Sequence, residues 1–174
     1  ACTARAVPLH GTELEGNEAP DFTLTDGASG ASITLSSFRG QVIAMAFLYT
    51  RCPDICPLTA AKMRAAQRAL GADASRLVLL AVSVDPEGDT PDAVRAFSAA
   101  HDLRDGWHYL VAPRTQLERV WSLYGVGAFR AGSGPLVDHN DTIYVIDREG
   151  REREIVHSDI ALEDLVADLR ALLR

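Results

Sequence analysis

"QVIAMAFLYTRCPDICPLTA" (41–60) is the stretch whose reading decides the fold. Its first nine residues are almost continuously apolar, the pattern of a strand buried on both faces, as in a parallel sheet covered by helices. Pro57 fits only the first turn of a helix. A helix beginning near Asp54, a residue type suited to the N-cap, leaves Cys52 in the loop after the strand and Cys56 in the first helical turn. Downstream, Leu58, Ala61, Ala65, Ala69 and Leu70 read as the apolar stripe of that helix, ended by Gly71. A second continuous apolar run, "RLVLLAVSV" (76–84), then supplies the next buried strand.

The alternation continues in both directions. "DFTLTDGASGASITL" (21–35) places Phe22, Leu24, Ile33 and Leu35 in period-2 alternation around a glycine-rich turn, which predicts an N-terminal β-hairpin. "DTPDAVRAFSAAH" (89–101) predicts a helix with Thr90 as N-cap, Pro91 in its first turn, and Val94 and Phe97 inward. "TQLERVWSLYG" (115–125) spaces Leu117, Val120, Trp121 and Tyr124 by three and four before Gly125 stops it. A short strand is expected between these two helices. "DTIYVIDREGREREIVH" (141–157) predicts two strands around a turn, followed by a helix from about Asp159 that buries Leu162, Leu165, Val166, Leu169 and Leu172. Strands alternating with helices predict an α/β layer fold whose closing hairpin adds antiparallel strands. Residues 1–18 are polar and aperiodic and predict an extended arm or membrane tether. Residues 19–174 form one predicted domain, without internal repeat or long linker.

The chain has 174 residues, 47% of them apolar and 24% charged, as a soluble globular domain requires. Its net charge is −7, from 17 basic and 24 acidic residues, and no basic cluster stands out. Nucleic-acid binding is excluded on that ground, since phosphate contacts need a local excess of lysine and arginine. No run reaches the roughly 20 apolar residues that span a bilayer. Cys2 directly follows a small residue, as does a cysteine that is lipid-modified after signal cleavage; an unimportant free thiol has the same appearance.

Active sites of open α/β sheets lie at the carboxyl ends of the strands, where Cys52 and Cys56 fall. That position argues against a purely structural disulfide. A helix N-terminus favours thiolate over thiol, and thiolates there can exchange with disulfides or bind a soft metal such as Cu(I) or Zn. Three intervening residues permit a disulfide and also let both sulfurs turn toward one external atom. A third ligand would separate the two uses. Of the five histidines, His10 lies in the arm, His101 at a helix end, His108 beside a short strand and His157 at the end of the last strand. His139 differs: it lies in "PLVDHNDTIYVI" (135–146), flanked by Asp138 and Asn140. If the strand at 142–146 lies beside that at 41–49, the loop leading into it can face the Cys52–Cys56 loop. One imidazole and two thiolates make a three-coordinate soft site.

"TRCPDICP" (50–57), "VSVDPEGDTPDAV" (82–94) and "LVDHNDTIYVID" (136–147), in that order, resemble the Sco (SenC/PrrC) family of thioredoxin-like copper proteins, from about Ala19 to the C-terminal helix. The resemblance implies a thioredoxin-like fold with a central mixed sheet. It implies a copper ion, Cu(I) or Cu(II), held by Cys52, Cys56 and His139; Asp138 matches the family's aspartate beside the histidine, and we infer for it a hydrogen-bonding or docking role. It also implies an extracytoplasmic protein tethered to the outer face of the cytoplasmic membrane. Its partners would be cytochrome c oxidase subunit II, whose binuclear copper centre it helps to assemble, and other copper chaperones. One departure is the short, glycine-rich segment "GVGAFRAGSGPLV" (125–137), where family members often carry a longer polar loop. Thiol–disulfide reduction through the redox pair Cys52 and Cys56 is the alternative. A thiol peroxidase is disfavoured, because its motif needs threonine three residues before the reactive cysteine and Tyr49 stands there. Asp85, Asp89 and Thr90 read as residues that shape the turn before the second helix.

Overall fold

The computed structural model describes residues 8–127, 129–130, 137–138 and 141–174. β1 (Thr12–Glu13) precedes the hairpin β2 (Thr23–Asp26) and β3 (Ser32–Thr34). Next come β4 (Val42–Leu48), α1 (Ile55–Ala69), β5 (Leu77–Ser83), α2 (Pro91–Ala100), β6 (Trp107–Val111) and α3 (Arg114–Leu123). The chain closes with β7 (Phe129–Arg130), β8 (Val137–Asp138), β9 (Ile143–Ile146), β10 (Glu152–Val156) and α4 (Leu162–Leu172).

Eight strands form one sheet in the order β1-β10-β9-β4-β5-β6-β2-β3, and β7 pairs with β8 separately. β4, β5 and β6 run parallel; β9 lies antiparallel to β4, with Ala46 opposite Ile143. The sheet is therefore mixed, with its parallel strands in the middle. All seven residues of β4 and all seven of β5 are buried, which is why each reads as an unbroken apolar run. Each large side chain such as Phe47 or Leu80 buried there contributes roughly 1.5–3 kcal/mol relative to exposure. The predicted α/β architecture and N-terminal hairpin are both found.

Three readings of the sequence are corrected. The inward face of α1 consists of Cys56, Ala60, Met63 and Ala66, with Thr59 and Gln67 beside them. Leu58 is 57% exposed and Ala61 and Ala69 face solvent; of the predicted stripe only Leu70 is buried and Ala65 half-buried. In an alanine-rich helix several phases carry small apolar residues, and packing against the sheet selects among them. α4 begins at Leu162 rather than near Asp159, because Ile160 N–H closes a turn on His157 O first. The sheet also extends into the segment read as an arm. Thr12 and Glu13 pair with Ile155 and Glu154, and Glu18 bridges to Arg151.

Candidate metal centre

β4 delivers the chain to the carboxyl end of the sheet. There it tightens at once: Cys52 N–H donates to Tyr49 O at 3.2 Å. α1 starts three residues later with Asp54 at the N-cap position, although its side chain makes no capping bond. Cys56 N–H points at Cys52 Sγ, 3.4 Å away, so the first turn of the helix is aimed at the loop sulfur. The two cysteines are thiols, not joined in a disulfide. Both cysteines are buried, Cys52 at 8% exposure and Cys56 completely, so Cys52 is the more accessible of the two.

The contact between the two sulfurs sets their protonation. A hydrogen bond from the Cys56 thiol holds the Cys52 thiol far below its ordinary value, against the opposing effect of burial. Backbone N–H groups of Asp54 and Cys56 and the Tyr49 side chain add to the stabilisation of the Cys52 thiolate. The same hydrogen bond, together with burial, pushes Cys56 far up. The reduced pair is a thiolate held by a thiol, with one proton between two sulfurs. That is the soft, electron-rich end of the donor range, suited to Cu(I) or Zn and to disulfide exchange.

The loop is held from below by the next strand. Asp89 is 4% exposed and accepts four hydrogen bonds. Thr50 N–H and Thr50 Oγ1 each reach Oδ1 at 2.8 Å, while Ser83 Oγ and Tyr109 OH reach Oδ2 at 2.6 and 3.0 Å. Burial raises the Asp89 carboxyl, and donation from Ser83, Thr50 and Tyr109 draws it back. Fully buried Asp85 receives Arg51 Nη2 at 2.5 Å and Nε at 3.1 Å. Gly88 is required at this crossing, because a Cβ there would sit 2.1 Å from Asp85 Oδ2 and 2.4 Å from Arg51 Nε. The two residues before Cys52 are thus each tied to an aspartate of 85–89. These aspartates shape the turn, as Gly88 and Asp89 N–H on Asp85 O show, and they also grip the cysteine loop. Thr90 caps α2 through Ala93 N–H, as predicted.

The expected adjacency of β9 and β4 is present, and the chain enters β9 beside α1. Asp141 Oδ1 lies 3.4 Å from Thr59 Oγ1, one helical turn beyond Ile55, and Asp141 Oδ2 accepts from Ser158 Oγ at 2.7 Å. His139 and Cys2 lie outside the described residues, and of Asp138 only the backbone, paired with Phe129, is described. Among the described residues no group of three or more histidine, cysteine, aspartate or glutamate side chains is arranged to hold a metal. The four described histidines have other partners. His10 meets Asp168, His108 meets Asp26, His157 meets the Asp141 carbonyl, and His101 stacks on Phe97.

The SCO1/SenC family model matches residues 11–174. This chain belongs to the SCO1/SenC family. The SCO1 protein homolog of Bacillus subtilis is 25% identical over 164 residues, covering 88% of this chain and 82% of the relative. Among solved structures, Bradyrhizobium japonicum ScoI with copper bound superposes with a TM-score of 0.79 at 30% identity, over 90% of this chain and all of that one. Apo Sco1 of Thermus thermophilus gives a TM-score of 0.81 at 32% identity, over 95% of this chain and 98% of that one. The thioredoxin-like fold of the Sco proteins is that of this chain.

In this Sco-family chain, sequence reasoning found the cysteines and missed what grips them. Two aspartates four residues apart at the end of the neighbouring parallel strand carried the available signal. Adjacent parallel strands bring their following loops together, so polar residues just after β5 are natural partners for the loop after β4. The Thr59–Asp141–Ser158 contacts have no such sign in the sequence.

Proposed function

We propose that this chain is a copper metallochaperone that holds one copper ion through Cys52, Cys56 and His139 and assists assembly of the binuclear copper centre of cytochrome c oxidase subunit II. The observation that carries the reading is the meeting of two buried cysteines at a strand end, with Cys56 N–H aimed at Cys52 Sγ 3.4 Å away. Two further findings support it. The 30% identical ScoI of Bradyrhizobium japonicum has been solved with copper bound. His139 precedes by two residues Asp141, which is anchored to α1 and to Ser158 at the entrance to β9, the strand beside β4. Asp138 then serves the histidine as a hydrogen-bonding neighbour. Copper is the cargo: its binding would release the proton shared by the two sulfurs, and two thiolates and an imidazole would leave a coordination position open, through which partner thiolates would take the ion by ligand exchange. Delivery to an oxidase places the protein outside the cytoplasm, tethered to the membrane.

A second reading is favoured by the difference between the sulfurs. Cys52, activated and the more accessible of the two, can attack a partner's disulfide, and fully buried Cys56 can resolve the mixed disulfide. The pair is then oxidised by two electrons, and both partner cysteines are released reduced. The two readings share the cysteines and part at His139.

Anaerobic copper loading followed by metal analysis tests the proposal. The reduced protein is expected to bind one copper per chain and the Cys52–Cys56 disulfide form essentially none, since ligation needs free thiolates. His139→Ala should weaken copper binding by at least about tenfold, roughly 1.4 kcal/mol, and remove a nitrogen ligand from the X-ray absorption spectrum. Its thiol–disulfide exchange should be unchanged. A variant that binds copper as tightly as the parent overturns the ligand set and moves the reductase reading ahead.

A further inference from the structure

The edge of the sheet farthest from β6 carries a cluster of groups that the copper site does not use. β1 is only two residues long, both exposed, and pairs with β10 at two positions, far too little to hold a strand in place by itself. The preceding residues supply the rest. His10 N–H donates to Asp168 Oδ2 at 3.0 Å, and its ring Nδ1 lies 2.7 Å from Asp168 Oδ1. His10 Nε2 is 3.5 Å from Asp164 Oδ1. Gly11 N–H donates to Glu154 Oε2 at 3.0 Å. The approach is so close that a Cβ on Gly11 would sit 2.5–2.7 Å from Val156 Cγ1, Glu154 Oε2 and Ile155 O.

Glu154 is fully buried and Asp168 is 1% exposed, yet Glu154 Oε1 has no hydrogen-bond partner. A buried, half-satisfied carboxylate beside a second carboxylate is costly, and a proton on Glu154 shared toward Asp168 removes the cost. We propose that His10, Glu154 and Asp168 form a pH-operated clasp, which holds the N-terminal strand on the sheet while protonated and releases it as the solution turns alkaline. Closed, the cluster is a neutral Glu154, an imidazolium and the two α4 aspartates. Open, His10 is neutral and Glu154, Asp164 and Asp168 are all negative. Among the described residues no lysine or arginine is ion-paired with any of these three. Glu13 on the arm faces Leu9 N–H, and His157 and Asp159 line the cavity of about 290 Å³ beside His10 and Gly11.

The signs agree. Asp168 raises His10 above 6.5, so its contribution is complete below that value and is lost as pH rises through the higher folded-state value. Burial and then the Asp168 charge raise Glu154 from 4.5 to about 7, so the folded protein binds the extra proton in that window and loses stability as pH rises across it. Release would expose the outer edge of β10 to pairing with another strand.

Hydrogen exchange of residues 8–14 in the full chain tests this, with rates corrected for the intrinsic pH dependence and β4 and β5 as folding controls. Protection of the Gly11 and Leu14 amides is expected to fall about tenfold or more between about pH 6 and about pH 8.5. Glu154→Gln keeps an acceptor for Gly11 and a donor for Asp168 without charge, and should flatten that fall. His10→Gln should lower protection at about pH 6 by about threefold or more. A flat profile in the parent overturns the clasp, and so does a Glu154→Gln profile that superposes on it. Should Glu154→Gln fail to fold, His10→Gln decides by itself, and protection equal to the parent at about pH 6 overturns the proposal.

Discussion

Asp89 and Glu154 are both buried carboxyl groups, one beneath the cysteine loop and one beneath the N-terminal strand, and they have been treated differently by the fold. Asp89 receives four donors from three separate segments, the β4 exit, the end of β5, and β6. Glu154 receives one backbone N–H, retains an unpartnered oxygen, and faces the like charge of Asp168. Burial acts on both in the same direction. Donor count and neighbouring charge set them apart: the first site is a fixed, fully bonded support, and the second changes state with a single proton. Rigidity has been placed where Thr50 and Arg51 must present Cys52, and responsiveness at the far edge of the sheet.

Breaking the better-satisfied site should cost most. Asp89→Ala strands Thr50 N–H, Ser83 Oγ and Tyr109 OH without an acceptor in the interior. Urea unfolding should show a loss of about 3–5 kcal/mol, with copper stoichiometry falling as the loop loosens. A loss under about 1 kcal/mol would show that the four bonds are replaceable, and the contrast with Glu154 would collapse.

Relieving the poorly satisfied site should do the reverse. Glu154→Gln is expected to raise stability by about 1–2 kcal/mol at pH values above about 7, where the native glutamate has been forced to ionise. Well below pH 4.5, where the glutamate is protonated in folded and unfolded chains alike, the two proteins should be nearly equal. Denaturation midpoints measured at both ends of that range check the sign. The smallest effect belongs to Gly11→Ala. The clash with Ile155 O should displace the edge strand and raise exchange of the 8–14 amides, while global stability changes by less than about 1 kcal/mol, since Thr12 and Glu13 are exposed.

Legibility tracked the range of the interaction being read. Thr90 and Pro91 announce α2 because capping and the proline ring act within four residues. β4 and β5 announce themselves because burial on both faces fills them with apolar residues, Ser83 at the end of β5 being admitted by its bond to Asp89. In α1 the same approach failed. Leu58 is more apolar than Ala60 or Ala66, yet it points to solvent, because the helix must bury the face carrying Cys56 and Met63 against the sheet. The edge pairing of β1 was equally invisible, since two polar residues show no period and are held by His10 and Gly11 on partners more than a hundred positions away.

By itself, then, the sequence determined the order of the four helices and of the strands β2 to β6, β9 and β10, the place of Cys52 and Cys56 at a strand end and helix start, and the family motifs, all of which rest on local patterns. Tertiary structure alone decided which cysteine is the thiolate, since that depends on the Cys56 thiol and the surrounding N–H groups converging on one sulfur. It also decided that Asp89 supports Thr50 and that Glu154 lacks a partner for one oxygen. Hydrogen bonding and desolvation depend on which groups meet across the sheet, and segments distant in the chain meet only when the parallel strands and the closing hairpin are assembled.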